Sequence, residues 1–499
     1  MVGRAAAARW ARRAWTGLRD DVAGLLTALR CSPAPAGLYE YRAAPPGGRR
    51  RLHLRIHEDG SGLLLVDVGD AIHLNRAAAA IARLALEGIS PRAARAVIRR
   101  WFTAVPSSDL KREVAGIYAL VEHLRTTTDA CATCHLPGKR RADLFSTPVH
   151  APYKADLALG YGCNNACRHC YNERGRRQMP SLDGARWREV LARLADIGVP
   201  YVIFTGGEPT LFGDLPELIA EADRLGLVSG MNTNGRRLAD ASFTRQLLQA
   251  GLSHVQITLL SARADVHNAM TGGRSFDETV AGIRAALAAG LHTLTNTTLT
   301  RRNAEGAEEL VDFLHSLGLR TLAANGMIYS GDGCTEDEAL SEDELGPLVV
   351  RLRDRATELG MRFLWYTPTA WCRLSPEELE VGPRRCNAAE YSICIEPNGD
   401  VLPCQSYYVS AGNILRDPWE RIWHSDLFHR FRDRGTDPRR AGLPQRCWDC
   451  ADLGVCGGGC PLERDRSPQT APVEGFTTAL AAGEARCGGE GHSRGEKRL

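Results

Sequence analysis

Three cysteines within eight residues, Cys163-x3-Cys167-x2-Cys170, constrain this chain more than any other feature. A looser series follows: Cys386, Cys404, then Cys447-x2-Cys450-x5-Cys456-x3-Cys460, and Cys487. Sixteen cysteines in 499 residues serve either secreted disulfides or bound metal. A secretion signal needs an apolar core near the start, whereas residues 1–30 are interrupted throughout by Arg and Trp. No stretch approaches the ~20 apolar residues of a membrane span. The expected location is therefore cytoplasmic, where thiols stay reduced and clustered cysteines act as ligands. Lys+Arg 62 against Asp+Glu 59 leaves a net charge of +3. That balance gives no support to a nucleic-acid footprint, and neither nucleic acid nor membrane is expected as a partner.

The length exceeds one ordinary core, so several domains are expected. Residues 1–30 read as an Ala/Arg-rich helical extension with no assigned role. Within 31–126, alternating apolar runs at Arg51–His57, Gly62–Val68 and Ala71–Leu74 predict a small antiparallel sheet, divided by Asp59-Gly60 and Gly69-Asp70. Helical periodicity follows at 76–87, 91–103 and 109–125, with Pro91 suited to a helix start. Such a β-β-β-α-α-α order makes a winged-helix-like α+β domain. Residues 127–152 read as a linker.

From 153 to 340 strands and amphipathic helices alternate. Strand-like runs are Asp156–Gly160, Tyr201–Thr205, Leu227–Asn232, His254–Leu260, His292–Leu299 and Arg320–Met327. Helices are expected near 184–197, 214–224, 242–250, 276–289 and 304–317. Six βα units are too few for a closed eight-stranded barrel, so the fold class is α/β with a partial (β/α)6 barrel. Its chemistry belongs at the carboxyl ends of the strands. Residues 341–385 form a bridging helix and linker, 386–487 a Cys-rich segment with little apolar periodicity, and 488–499 a tail. A segment with so weak a core needs metal as its staple.

Three motifs fall at successive strand ends. Cys163, Cys167 and Cys170 suit three corners of a cubane iron–sulfur cluster, leaving one iron open to a chelating small molecule. A zinc knuckle with His169 as fourth ligand is the plainer alternative, but a place at the mouth of a barrel favours iron–sulfur. Thr205-Gly206-Gly207-Glu208-Pro209 ends the second strand. Its glycines admit close backbone approach, and its carboxylate suits a ligand ammonium. Asn232-Thr233-Asn234-Gly235 ends the third, with amides suited to a ribose or carboxylate; read alone, it is an ordinary Asn-Gly turn.

The cysteine loop and the GGEP turn together resemble the radical S-adenosylmethionine (SAM) superfamily over roughly residues 153–330. His169 stands where that family commonly has an aromatic residue. The resemblance implies that the open iron of a 4Fe–4S cluster binds the amino and carboxylate groups of SAM. The reduced cluster then cleaves a carbon–sulfur bond to give methionine and a 5′-deoxyadenosyl radical. It marks Gly206, Gly207, Glu208, Pro209, Asn232, Asn234, Gln256, Thr258, Ser261 and Asn296 as SAM-contact candidates, the last four equally readable as polar barrel lining. It also implies an electron donor such as a flavodoxin or ferredoxin.

The late cysteines, with PNGDVLPC at 397–404, AGNILRDPWERIW at 411–423 and CGGGCP at 456–461, resemble the SPASM extension of peptide-modifying radical SAM enzymes. That resemblance spans 386–487 and implies two auxiliary 4Fe–4S clusters. One would sit on Cys447, Cys450, Cys456 and Cys487. The other would sit on Cys386, Cys404 and Cys460, with Cys372 as fourth ligand and Cys394 as its competitor, although YSICIE around Cys394 reads as a buried strand. Two zinc ribbons are the alternative. Three clusters bring about twelve irons per chain. Cys31, Cys131, Cys134, Cys334 and Cys394 are left as unligated thiols. Cys131-Ala-Thr-Cys134-His135 has the form of a c-type haem site, but haem attachment requires export; a metal-binding CxxC is the other reading.

The small N-terminal domain, with its DAIHLNRAAAAIARLALEG, resembles the peptide-chaperone domain of pyrroloquinoline quinone biosynthesis. That domain is the recognition element for ribosomally made, post-translationally modified peptides (RiPPs). The resemblance implies that the leader of a ribosomal precursor peptide adds a strand to the sheet edge, expected at GLLLVDV, and packs on the third helix. The whole chain then reads as a radical SAM peptide maturase that abstracts hydrogen from a precursor peptide. Competing classes are a maturase of a Cys or Ser in a partner enzyme, a small-molecule radical enzyme, and a winged-helix redox regulator. The third helix carries too little basic charge to favour the regulator.

Overall fold

The computed structural model describes residues 33, 35–43, 50–66, 70–102, 107–126, 145, 149–334 and 337–464. The expected N-terminal extension, most of the linker, Cys31, the Cys131/Cys134 pair, Cys487 and the tail lie outside the described residues. Two compact units are present, and each is described by itself.

The first unit holds a four-stranded antiparallel meander: β1 (Gly37–Ala43), β2 (Arg50–Ile56), β3 (Gly62–Val66) and β4 (Asp70–Leu74), in that order across the sheet. Three strands follow from aliphatic alternation. β1 does not, because its inward residues are Tyr39 and Tyr41, alternating with Glu40 and Arg42; both rings pack on the core. Asp59 caps the β2–β3 turn through the Ser61 N–H at 2.8 Å, and Gly60 takes the φ of +83° that the turn requires. Helices α1 (Arg76–Leu86) and α2 (Pro91–Trp101) begin on Asn75 and Ser90, whose side chains accept from Ala78 N and Ala93 N. α1 and α3 (Ser107–Thr126) bury Leu52, Leu54, Leu64, Leu120 and Leu124 in one core, and α2 packs Ala94, Val97 and Ile98 on Ile81, Leu84 and Leu110 in a second. The edges of this sheet are β1 and β4. β3, expected as the free edge, is interior, paired on both sides.

The second unit is built on a mostly parallel sheet. β5 (Lys154–Ala158), β6 (Tyr201–Thr205), β7 (Val228–Thr233), β8 (His254–Thr258), β9 (His292–Thr298) and β10 (Thr321–Asn325) each pair with their predecessor in parallel. The chain thus winds one way without reversal. The connecting helices are α4 (Gly184–Ile197), α5 (Leu215–Arg224), α6 (Ala241–Gln249), α7 (Ala264–Thr271), α8 (Phe276–Ala288) and α9 (Ala307–Ser316). One face carries Ala155, Leu157, Val202, Phe204, Met231, Val255, Ile257 and Leu322, all buried. Register puts Asp156, Gly230, Asn232, Gln256, Thr258 and Asn296 on the other. Strands with one apolar and one polar face suit a sheet that covers a core on one side and receives ligands on the other.

Nine strands, not six, form this sheet among the described residues. After α10 (Glu342–Glu358), β11 (Arg362–Trp365) adds beside β10. On the opposite edge β12 (Ser392–Ile395) pairs in parallel with β5, and β13 (Val401–Leu402) folds back on β12. The Cys-rich segment was expected to depend on metal for its cohesion. Its first hairpin is part of the sheet, with Ile393, Cys394, Ile395, Val401 and Leu402 fully buried. Such short strands without alternation look like loop in a sequence. They become strands because β5 offers an unpaired edge. No helix among the described residues is long and apolar enough to cross a membrane.

Two buried histidines make this unit acid-sensitive. His254 Nε2 lies 2.6 Å from the Tyr201 hydroxyl, and burial lowers its pKa to about 4. His267 accepts from Leu260 N at Nδ1 and meets Ser275 Oγ at Nε2, 3.1 Å away; burial lowers it likewise to about 4. The unfolded chain binds protons at these groups below about pH 6.5, while the folded chain stays neutral until about pH 4, so stability falls as pH falls through that window. Each histidine is expected to cost about 2 kcal/mol between pH 7 and pH 5. Anaerobic urea unfolding followed by tryptophan fluorescence checks this, and His254→Asn should show a shallower pH slope.

Candidate active site

The cysteine loop leaves β5 and is fixed by backbone before any side chain acts. Leu159 N donates to Thr205 O, Gly207 N to Gly160 O at 2.7 Å and Glu208 N to Gly162 O at 2.8 Å. This close approach is what the two glycines of the GGEP turn permit. A Cβ on Gly206 (φ +122°) would stand 2.3 Å from Gly160 O, and one on Gly207 2.2 Å from Gly162 O. The glycines expected to admit a ligand also make room for the cysteine loop.

Further along, Ala166 N and Arg168 N donate to Thr271 O and Met270 O, so the loop is strapped to the carboxyl end of α7. Gly272 ends that helix at φ +69°, and a Cβ there would meet Ala166 O at 2.4 Å. Sequence reading missed α7. The signal was present as a short helical run, ADVHNAMT, closed by Gly272 at the left-handed cap position.

Glu208 is buried, and its carboxylate is largely spent within the protein. Oε1 accepts from Thr210 N, Thr210 Oγ1 and Thr233 Oγ1, and Oε2 from Asn234 N at 2.8 Å. Burial raises its pKa and these donors pull it back. One lone-pair site on Oε2 stays available for a further donor. Pro209 opens a 3-10 turn, Pro209–Leu211, in which Pro209 and Thr210 are buried and Leu211 is exposed.

Asn234 sits on the loop side. Its Nδ2 donates to Asn164 Oδ1 at 2.6 Å and approaches Cys163 Sγ at 4.0 Å, while Oδ1 accepts from Arg236 N. Arg236 in turn bonds Asn164 O, Asn165 Oδ1 and the Glu278 carboxylate. Ser261 is buried and caps a local turn through Arg263 N. Asn232, Gln256 and Thr258 are half-buried on the polar face of the sheet, with Asn296 in register beside Thr258. Asn296 donates to Asn325 Oδ1, and its own Oδ1 is buried without a partner.

Burial raises the pKa of the Cys163, Cys167 and Cys170 thiols, and each of the latter two is raised further by neighbouring thiols. Metal ligation must therefore expel protons that burial retains. The late cysteines fall into two groups. Cys460 is within electrostatic reach of Cys386 and Cys404. Cys447 is within reach of Cys456, Cys372 and Cys450, and Trp371 N donates to Cys456 Sγ at 3.3 Å. Cys372 is thus within reach of Cys447, while the family resemblance assigns it to the Cys386 group. Cys394 is fully buried on β12, opposite Asp156. Cys334 is disulfide-bonded and so is not the free thiol expected.

These donor sets suit iron–sulfur clusters. Among the described residues no three Cys, His, Asp or Glu side chains are drawn together for a single ion, and a cubane, whose ligands bind separate irons, asks for a wider triangle. Around the late cysteines the buried Arg385 and Arg434 flank Gly457, and Arg434 also donates to Cys386 O. The Nε of each lacks a partner, and Arg385 also pairs with the buried Glu390 carboxylate.

Known proteins agree with this geometry. Residues 157–314 match the family model of the radical SAM superfamily, and 386–451 that of the SPASM iron–sulfur cluster-binding domain. The chain is 31% identical over 325 residues to PqqA peptide cyclase of Xanthomonas campestris pv. campestris, 62% of this chain and 82% of that protein. It is 30% identical over 385 residues to mycofactocin maturase MftC of Mycolicibacterium smegmatis, 72% of this chain and 93% of that protein. Among solved structures, Streptococcus suis SuiB bound to precursor peptide SuiA is similar with a TM-score of 0.61 at 16% identity, covering 84% of this chain and 97% of SuiB. Fold and site define an enzyme that uses an iron–sulfur cluster and SAM. The chain belongs to the radical SAM superfamily and carries a SPASM domain; its cofactors are a 4Fe–4S cluster, SAM and auxiliary iron–sulfur clusters.

The glycine packing is testable. Gly206→Ala is expected to lose about 2–4 kcal/mol of stability and to abolish SAM binding, because the added carbon meets a backbone carbonyl. Gly213→Ala, where a Cβ meets nothing within 4 Å, should be neutral. Thermal unfolding and equilibrium dialysis with SAM read the two effects.

Proposed function

We propose that this chain is a maturase of a ribosomally made peptide, starting its modification by hydrogen abstraction. The observation that carries this reading is the extended similarity to two groups of relatives, one named a peptide cyclase and the other a mycofactocin maturase. When bound and reduced by an electron donor such as a flavodoxin or ferredoxin, the cluster held by Cys163, Cys167 and Cys170 would supply radical chemistry from SAM.

The chain's own residues would divide the work as follows. Cys163, Cys167 and Cys170 hold the SAM cluster. Glu208 offers the free lone pair of Oε2 to the SAM ammonium, beside the Gly206-Gly207 turn and Pro209. Asn232, Gln256, Thr258 and Asn296 line the polar face on which the nucleoside and the peptide lie. Asn234 braces the cysteine loop, and Ser261 shapes a turn. Cys386, Cys404 and Cys460 hold one auxiliary cluster, and Cys447, Cys450 and Cys456 the other. The proximity of Cys372 to Cys447 supports adding Cys372 to the second. Anaerobically reconstituted Cys372→Ala should then lose the same electron paramagnetic resonance (EPR) signal as the Cys447/Cys450 double variant. Loss instead of the signal removed by Cys386→Ala would reverse the assignment.

The first unit would capture the leader. Among the described residues β4 is an edge strand suited to strand addition, and α3 follows in the same core; main-chain hydrogen bonds would supply affinity and side-chain contacts selectivity. Proline at Leu64 or Val66 would break an interior strand, so deletion is the cleaner probe. Removing residues 38–125 should leave SAM binding and slow uncoupled cleavage in place. Peptide modification should fall by roughly 100-fold or more, because the tether sets the effective concentration of the core peptide. A truncated enzyme that modifies its peptide at the full rate would show that the unit does not capture substrate.

A further inference from the structure

A chain of side chains joins the neighbourhood of an auxiliary cysteine to the SAM-binding turn. Tyr408, four residues after Cys404, donates its hydroxyl to Asn172 Oδ1 at 3.0 Å. Asn172, two residues after Cys170, donates Nδ2 to Gly206 O at 2.8 Å. Gly206 is the residue of the turn held at φ +122°, and fixing its carbonyl fixes the peptide plane from which Gly207 N points at Gly160 O. One buried amide thus touches the residues beside two cysteine motifs and the turn between them.

The bridge is clamped from its other side. The Arg176 guanidinium lies 4.1 Å from the centroid of the Tyr408 ring and bonds the Glu396 carboxylate directly behind β12. Glu396 is buried and also accepts from Tyr161 OH at 2.9 Å, at the start of the cysteine loop. Tyr161 meets Tyr408 edge to face, with centroids 6.4 Å apart. On the auxiliary side, Tyr407 N donates to Cys404 O at 3.3 Å, and the Tyr407 ring packs on Phe431 at 5.0 Å. Every member is buried or half-buried, so the path is a packed network rather than a surface contact.

We infer that Tyr408 and Asn172 are positioning residues through which the Cys404 segment holds the GGEP turn in its SAM-binding shape. The state of the auxiliary cluster is then felt at the SAM site without contact between the two. This inference rests on the assignment of Cys404 as an auxiliary ligand, and the experiment separates the two.

Wild type, Tyr408→Phe, Cys404→Ala and the double variant are reconstituted anaerobically. Iron content, SAM affinity and the SAM-induced change in the EPR spectrum of the reduced cluster are measured for each. Tyr408→Phe keeps the ring and should keep the wild-type iron content and thermal stability, yet weaken SAM about five-fold, the worth of one net hydrogen bond. It should also alter the EPR change, which a merely structural role would leave alone. Asn172→Asp keeps the acceptor for Tyr408 but loses the N–H to Gly206, and should give the same weakening. Cys404→Ala should lose one auxiliary cluster and weaken SAM to a like degree, with no further loss in the double variant. Wild-type SAM affinity and spectrum in Tyr408→Phe, or losses that multiply in the double variant, would overturn the inference. Full iron in Cys404→Ala would reject the ligand assignment alone, since Tyr408→Phe reads the bridge by itself.

Discussion

The short backbone contacts between the ends of β5 and β6 are the constraint on which the site depends. Two peptide N–H groups of the GGEP turn donate to the carbonyls of Gly160 and Gly162, and no side chain larger than hydrogen fits between. A cluster loop has no regular structure of its own, and its thiols, raised by burial, prefer to stay protonated. Docking the loop backbone on a neighbouring strand end, and on the end of α7, supplies the order that three cysteines and their intervening residues lack. Ligation then has to displace protons, but not to organise the chain.

The same economy appears in the polar side chains around the loop. Glu208 ties the ends of β6 and β7 together through Thr233 and Asn234 while keeping one lone pair for a ligand. Asn234 and Arg236 brace Asn164 and Asn165 next to Cys163, so the Asn-rich turn after β7 serves the loop before it serves any nucleotide. Groups that brace cofactor ligands in this way set their orientation and electronics as much as the ligands do.

The Cys-rich segment is not an appendage. β12 continues the parallel sheet beyond β5, in register with the strand that launches the cysteine loop. Glu396 and Tyr408, just past β12 and Cys404, reach back to Arg176, Tyr161 and Asn172 of that loop. An auxiliary domain fastened to the sheet at this edge shares one packed network with the SAM site, and packed networks transmit displacement because interiors are nearly incompressible.

Local pattern in the sequence was enough for the three-thiol loop, the GGEP turn, the six alternating strands and the aliphatic strands and helices of the first unit. Each of these is written in spacing: two residues for a strand, three or four for a helix, three and two between thiols that share a cube. What spacing cannot carry is pairing. β1 is read from tyrosines only once β2 is beside it, and β12 is a strand only because β5 has a free edge. Cys372 lies far nearer in sequence to Cys386 than to Cys447, yet the chain folds it within reach of Cys447. Asn172, Tyr408 and Glu396 are unremarkable letters until sheet pairing brings residues more than two hundred positions apart within a hydrogen bond. The chemistry of the ligands is thus local and legible in the sequence, whereas their grouping and mutual support come from long-range burial that only the tertiary structure decides.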